Sequence, residues 1–268
     1  MVAYAHVIAG SEATGGAGIQ VDLKVFHQLG VYGMGTLTCI VSMDPKDGWN
    51  HRFVPVEPQI IADQIEAAQG AFPQVDTVKV GMLGTPQTAE VVAHALADHP
   101  YRAIVVDPVL VCKTQELSPA LETDNALRQL VLPHAHVVTP NVFEATVLSG
   151  RESIETVDDL IDAAKRIGDL GPQYVLAKGG VEIAGDAAVD VLWDGSEIHV
   201  LSAPKVGRER IHGAGCTIAA AVTAGLAKGQ SVRDAVAVAK ELVTAGIVER
   251  LHCATPFATV WQQAYQPR

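Results

Sequence analysis

The sequence predicts an α/β fold with a mostly parallel central sheet and helices on both faces, and three observations carry that prediction. Short apolar, β-branched runs alternate with longer stretches of helical period. Several of those runs end in Gly, Asp-Pro, Thr-Pro-Asn or Lys-Gly-Gly, the turn chemistry expected at strand C-terminal ends. The 268 residues, 49% hydrophobic and 18% charged, are enough to bury a large core and read as a single domain over 1–268.

In order, the runs are AHVIAG (5–10), TLTCIVS (36–42), TVKVGML (77–83), AIVVDPVLV (103–111), HVVTPN (136–141) and YVLAKGG (174–180). Helical patterns are expected between them at 17–29, 57–70, 86–97, 123–131, 143–149 and 156–170. The stretch AAVDVLWDGSEIHVLSA reads as two strands meeting at Asp194-Gly195, a hairpin dipeptide, and so predicts an antiparallel edge. A charged loop, PKVGRER, then leads to two closing helices near 214–228 and 231–250. Ligands of open α/β sheets bind outside the strands' C-terminal ends. Gly10, Ser11, Gly81, Asp107, Asn141, Lys178 and Gly180 are expected to gather there.

A net charge of −11 with no Lys/Arg cluster excludes a nucleic-acid or anionic-membrane surface as the expected partner, because both need a local positive field. The chain shows no signal-peptide pattern and no apolar run of membrane-span length, so a cytoplasmic location is expected. Cys39, Cys112, Cys216 and Cys253 form neither a C-x-x-C pair nor a metal-ligand spacing, and read as thiols rather than a disulfide framework.

Two glycine-rich stretches, GSEATGGAG (10–18) and HGAGC (212–216), are able to close backbone N–H groups on an anion at a helix N-terminus. Neither is a Walker A loop, and Ile218 stands where a third glycine of G-x-G-x-x-G would follow Gly213 and Gly215. Read alone, HGAGC is equally a tight packing turn with a buried thiol. Asp107 follows four apolar residues and Glu144 lies three residues after Asn141 at a strand-to-helix junction; such acids hold Mg²⁺ beside phosphates, or act only as turn formers and caps.

In order and spacing, IAGSEATGGAGIQVDLK, VSMDPKDGWNH, KVGML, VVDPVLVCK, VVTPNVFEA, AKGG and HGAGCT resemble the ribokinase-like vitamin kinases, which comprise hydroxymethylpyrimidine/phosphomethylpyrimidine kinases and similar pyridoxal kinases. The resemblance implies a ribokinase-like three-layer αβα fold and transfer of the γ-phosphoryl group of ATP, with Mg²⁺, to a primary hydroxymethyl group. Met43, where pyrimidine kinases usually place Gln, and Cys112, where they commonly have Ala, point to the pyridoxal kinase branch. The resemblance further implies an anion hole at Gly213, Ala214 and Gly215, and a general base at Cys216. A helix N-terminus is expected to lower that thiol's pKa. Cys112 is expected to capture the pyridoxal aldehyde as a hemithioacetal.

By the same resemblance, Gly10, Asp22, Met43, His51, Gly81 and Gly213 face the vitamin. Asn141, Glu144, Lys178, Gly179, Gly180 and His212 serve the nucleotide, and Asp107 with Glu144 the metal. A homodimer is the expected assembly. The chain departs from the pattern at Glu12, where Asp is usual, and at Ile211, where a polar residue often precedes the His; Arg208 and Arg210 are candidates to reach phosphate. Two other readings stand beside this one: a hydroxymethylpyrimidine kinase of thiamine synthesis, with or without dual activity, and an inactive ligand-binding regulator on the same fold.

Overall fold

The computed structural model describes residues 2–110 and 117–266. Its strands are β1 (Ala3–Glu12), β2 (Val31–Asp44), β3 (Asn50–Pro55), β4 (Thr77–Val80), β5 (Ala103–Val106), β6 (Val137–Val138), β7 (Tyr174–Gly180), β8 (Ala187–Trp193) and β9 (Ile198–Pro204). They form one sheet in the order β3-β2-β1-β4-β5-β6-β7-β8-β9. Strands β2, β1, β4, β5, β6 and β7 pair in parallel, while β3, β8 and β9 make antiparallel pairs.

The helices are α1 (Gly18–Gln28), α2 (Pro58–Ala71), α3 (Pro86–Asp98), α4 (Leu117–Ala126), α5 (Val142–Ser149), α6 (Val157–Gly168), α7 (Ala214–Ala227) and α8 (Val232–Val248). Alternating side chains of the strands feed two separate cores. Ile8, Val78, Val80, Ile104 and Val106 pack with the face that carries α2, α3, α5 and α6. Val7, Ala9, Val105 and Leu176 pack with the face that carries α1, α7 and α8. This is the predicted three-layer αβα arrangement.

Local chemistry explains the junctions. Asn141 and Glu144 form a reciprocal capping box at the start of α5, and Thr156 with Asp159 does the same for α6. Asp194 accepts from the backbone N–H groups of Ser196 and Glu197, and Gly195 at φ +90° turns the β8–β9 hairpin.

The structure departs from the sequence expectations in three places. β3 pairs with β2 where no strand was expected, so both edges of the sheet are antiparallel. Almost all of β3 is exposed on both faces, which leaves no alternating pattern to read. The helix expected at 123–131 begins at Leu117 and ends in a five-residue π turn, Leu127–Val131. The strand expected at 103–111 stops at Val106, because Pro108 cannot donate to the ladder.

Candidate functional site

The strand order reverses between β1 and β4, since β2 lies to one side of β1 and the remaining parallel strands to the other. At this switch point two chain ends diverge and leave a crevice above the sheet. Gly10 and Ser11 stand there at the end of β1, Gly81 follows β4, Asp107 follows β5, Asn141 follows β6, and Lys178 to Gly180 end β7.

Three connected pockets occupy this edge. The inner pocket is mostly apolar, and Gly10, Met43, His51, Gly81 and Cys216 line it. The central pocket is polar, with Asp107, Glu144, Lys178, the Gly213–Gly215 loop and Cys216 on its walls. The outer pocket is bordered by Asn141, Gly179, Gly180, Asp190, Lys240 and Thr244. Cys216 belongs to both the inner and the central pocket.

Gly213 precedes α7 with φ +80°, and a Cβ on it would collide with the Gly16 carbonyl oxygen, so glycine is required there on both counts. Gly215 passes close beneath a lysine: its Cβ position lies 3.3 Å from Lys178 Nζ. The first turn of α7 has no side-chain cap, and its start, Gly213 to Gly215, lines the central pocket, with the Ala214 N–H donating to the Ile211 carbonyl oxygen at 3.3 Å.

Two buried ion pairs underlie the pockets. Lys178 Nζ donates to Asp107 Oδ1 at 3.0 Å, and Thr139 Oγ1 donates to the same oxygen at 3.1 Å. Burial works against the charge on Asp107, but Lys178 and Lys79 outweigh it and hold the carboxyl below its ordinary range. Glu144 behaves oppositely: burial, with the nearby charge of Asp107 adding to it, pushes its carboxyl up to about 7 against the pull of Lys178. Its Oε2 accepts the Asn141 N–H at 2.8 Å.

The second pair corrects an expectation. Asp22, expected to face the ring pocket, does not line it; the residue is wholly buried on α1 and accepts from Lys79 Nζ at 2.9 Å. Lys79 itself borders the inner pocket, and the Cβ position of Gly81 is 3.2 Å from its ammonium. Burial lowers a lysine's pKa, yet Asp22, Cys216 and Asp107 together hold Lys79 above its ordinary value. Lys79 was not singled out from the sequence; its one signal is a lysine inside the apolar strand TVKV.

The Cys216 thiol is also corrected. The helix N-terminus was expected to lower it, but burial pushes it up to about 12, with Asp107 and Asp22 adding to the rise and Lys79 opposing it. Cys112 lies outside the described residues. His51 reaches the inner pocket from β3, and Arg210 borders the central pocket while paired to Glu182 at 2.5 Å. His212, expected on the nucleotide side, touches both the inner and the central pocket. Glu12, Phe257 and Thr259, none of them assigned a role from sequence, gather around His212.

A family model described as phosphomethylpyrimidine kinase matches residues 12–261, which takes in the site from Glu12 onward. The chain belongs to the phosphomethylpyrimidine kinase family. Within the family, pyridoxine kinase of Bacillus subtilis is 46% identical over 245 residues, covering 91% of this chain and 90% of that one. The solved structure of Bacillus subtilis pyridoxal kinase in complex with ADP superposes with a TM-score of 0.94 at 44% identity, covering 98% of each chain. Staphylococcus aureus pyridoxal kinase, solved with AMP-PCP and pyridoxal, gives a TM-score of 0.91 at 37% identity, over 99% of this chain and 95% of that one. The ribokinase-like architecture and kinase character expected of the family therefore hold for this member.

Proposed function

We propose that this chain transfers the γ-phosphoryl group of ATP to the 5′-hydroxymethyl group of pyridoxal and related B6 vitamers, forming pyridoxal 5′-phosphate and ADP. One observation carries the reading: an apolar pocket sized by Gly10, Gly81 and Met43 meets a polar, amide-lined pocket at Cys216. The likeness to kinases solved with ADP, or with AMP-PCP and pyridoxal, supports it. The vitamin occupies the inner pocket, the transferring phosphate the central one, and the nucleoside the outer one beside Asn141, Gly179 and Gly180.

In the reaction the vitamin's hydroxymethyl oxygen bonds to the γ-phosphorus while the bond to the β–γ bridging oxygen breaks, and ADP leaves with that electron pair. The amides of Gly213, Ala214 and Gly215 neutralise charge on the moving group, where most of the demand lies in a loose transition state. Lys178 adds a fixed cation at the same place. Cys216 Sγ takes the proton of the attacking hydroxyl. A thiol held up to about 12 is protonated in the free protein at neutral pH, so it acts as base only after substrate binding rearranges the charges around it and its own proton passes to solvent. Cys112 thiol adds to the aldehyde carbon of pyridoxal, and its proton passes to the aldehyde oxygen.

The residues fit Mg²⁺. Asp107 and Glu144 are hard oxygen donors in one pocket, and the lift on Glu144 from its neighbour's charge is relieved by a divalent cation. Held there, the ion would supply charge neutralisation on the phosphate oxygens.

A single kinase domain over 1–268 is part of the proposal, and the continuous sheet supports it. So is a homodimer, supported by the exposed register partners Ile40 and Val54 on the outer β2–β3 edge; light scattering tests it. A cytoplasmic location is likewise part of the proposal; no described helix is long and apolar enough to cross a membrane.

The deciding experiment compares kcat/KM for pyridoxal, pyridoxine and hydroxymethylpyrimidine with Mg-ATP. Preference for a B6 vitamer is expected. Preference for the pyrimidine would replace the reading with the thiamine-pathway kinase that the family model's description favours. Absence of turnover with all three would leave the binding regulator.

A further inference from the structure

The two glycine loops of the site are fastened to each other. Glu12, at the end of β1, sits on the inner pocket and is nearly buried. One carboxylate oxygen accepts the Thr14 N–H at 2.6 Å; the other accepts Thr14 Oγ1 at 2.7 Å, the Gly16 N–H at 3.2 Å and His212 Nε2 at 3.3 Å. A carboxylate only accepts, so His212 carries its proton on Nε2. Glu12 thereby organises its own loop and reaches the residue that begins the phosphate cradle, 200 positions along the chain.

The contact is reinforced at backbone level. The Gly213 Cα faces the Gly16 carbonyl so closely that a Cβ there would collide with its oxygen, which puts the two loops in direct backbone contact. A Cβ on Gly16 would lie 2.6 Å from both His212 Cδ2 and Thr259 Oγ1. Thr259 Oγ1 lies 3.4 Å from the Gly16 carbonyl oxygen and 3.3 Å from that of His212. The His212 N–H donates to the Ala258 carbonyl at 2.9 Å and its carbonyl accepts the Val260 N–H at 3.1 Å, while its ring packs at a tilt against Phe257, with centroids 4.6 Å apart. The 257–260 segment therefore backs the joint from behind.

We infer that Glu12 is a positioning residue which, through His212, couples occupancy of the vitamin pocket to the geometry of the phosphate cradle, so that each substrate tightens the binding of the other. The inference rests on the assignment of the two pockets made above. Two sites that share one rigid joint favour the same loop arrangement, and coupling of that kind is reciprocal. Glu12 gains this reach from its extra methylene: an aspartate at the same place would have to give up either the loop amides or the histidine.

The test measures the dissociation constant of pyridoxal by titration calorimetry with and without saturating AMP-PCP and Mg²⁺. The full chain is compared with Glu12→Gln, His212→Gln and the double variant. In the unaltered protein AMP-PCP strengthens pyridoxal binding at least about fivefold, the lower end of ordinary coupling. In each single variant the ratio falls below about twofold, and the double variant loses no more than either single one. Thr259→Val, which leaves both side chains of the pair in place, reduces the ratio partially and stands in if Glu12→Gln does not fold. A ratio near one in the unaltered protein, or an unchanged ratio in the variants, overturns the inference. If the unaltered protein binds no pyridoxal, the functional reading fails separately, and the same arms run with hydroxymethylpyrimidine still decide the coupling.

Discussion

Lys79 Nζ and Asp22 Oδ2 meet at 2.9 Å, wholly shielded from solvent, between β4 and α1 directly below the inner pocket. Removing one partner leaves an uncompensated buried charge, whereas removing both leaves only a packing problem. Lys79→Met is therefore expected to destabilise the fold by about 3–5 kcal/mol, and Lys79→Met with Asp22→Asn to recover most of that loss. Urea unfolding of the two variants measures the difference; equal losses would mean that the pair's charges do not interact.

Burial of Cys216 predicts an order of thiol reactivity. With its thiol pushed up to about 12, Cys216 should react slowly with iodoacetamide at pH 8, while exposed Cys253, whose thiol is lowered by hydrogen bonding to Thr255, reacts first. Peptide mass spectrometry over time reads both. Cys216→Ala should reduce kcat at least about a hundredfold, the scale of a lost general base, with ATP binding retained.

Aldehyde capture distinguishes two substrates. Cys112→Ala should lower kcat/KM for pyridoxal by about tenfold or more relative to pyridoxine, which has no aldehyde to trap. Parallel steady-state assays check this, and equal losses would remove the covalent role.

Gly213, the first glycine of the cradle, tolerates no side chain. Gly213→Ala adds a left-handed backbone penalty to a collision with the Gly16 carbonyl, so a loss of about 2 kcal/mol in stability and a severe fall in kcat are expected. Gly30→Ala provides the comparison: it too has positive φ, at +72°, but no neighbour within 4 Å, so it should cost stability while leaving kcat close to that of the unaltered protein.

His6 predicts a pH dependence away from the site. It is buried between Thr36 and Tyr101, and burial, helped by His99, lowers its pKa from 6.5 to about 4. Between those values the unfolded chain binds the proton and the folded chain does not. Stability from this residue is thus complete above about pH 6.5, falls as pH drops, and is spent near pH 4, a total of about 3 kcal/mol. Urea midpoints measured from pH 7 to pH 4 should decline less steeply in His6→Gln.

Features set by local pattern were legible before the structure. Strand ends at Gly10, Asp107, Asn141 and Lys178 carry turn chemistry, and an α/β sheet brings such ends to one edge whatever the details. Features set by tertiary surroundings were not. Asp22 and Lys79 are 57 positions apart, and nothing in either segment announces the other. Cys216 was legible as a helix-start residue, but its acidity follows from desolvation between two pockets and from Asp107, Asp22 and Lys79 nearby, which sequence does not display. Glu12 registered only as an unusual residue, because its value depends on the distant His212.

The bond between Thr259 and Gly16 joins positions 243 residues apart. During synthesis the first glycine loop emerges long before the segment that steadies it. Until residue 260 has left the ribosome, the phosphate cradle lacks this brace. The cradle is therefore completed by a long-range contact and not by its own local sequence.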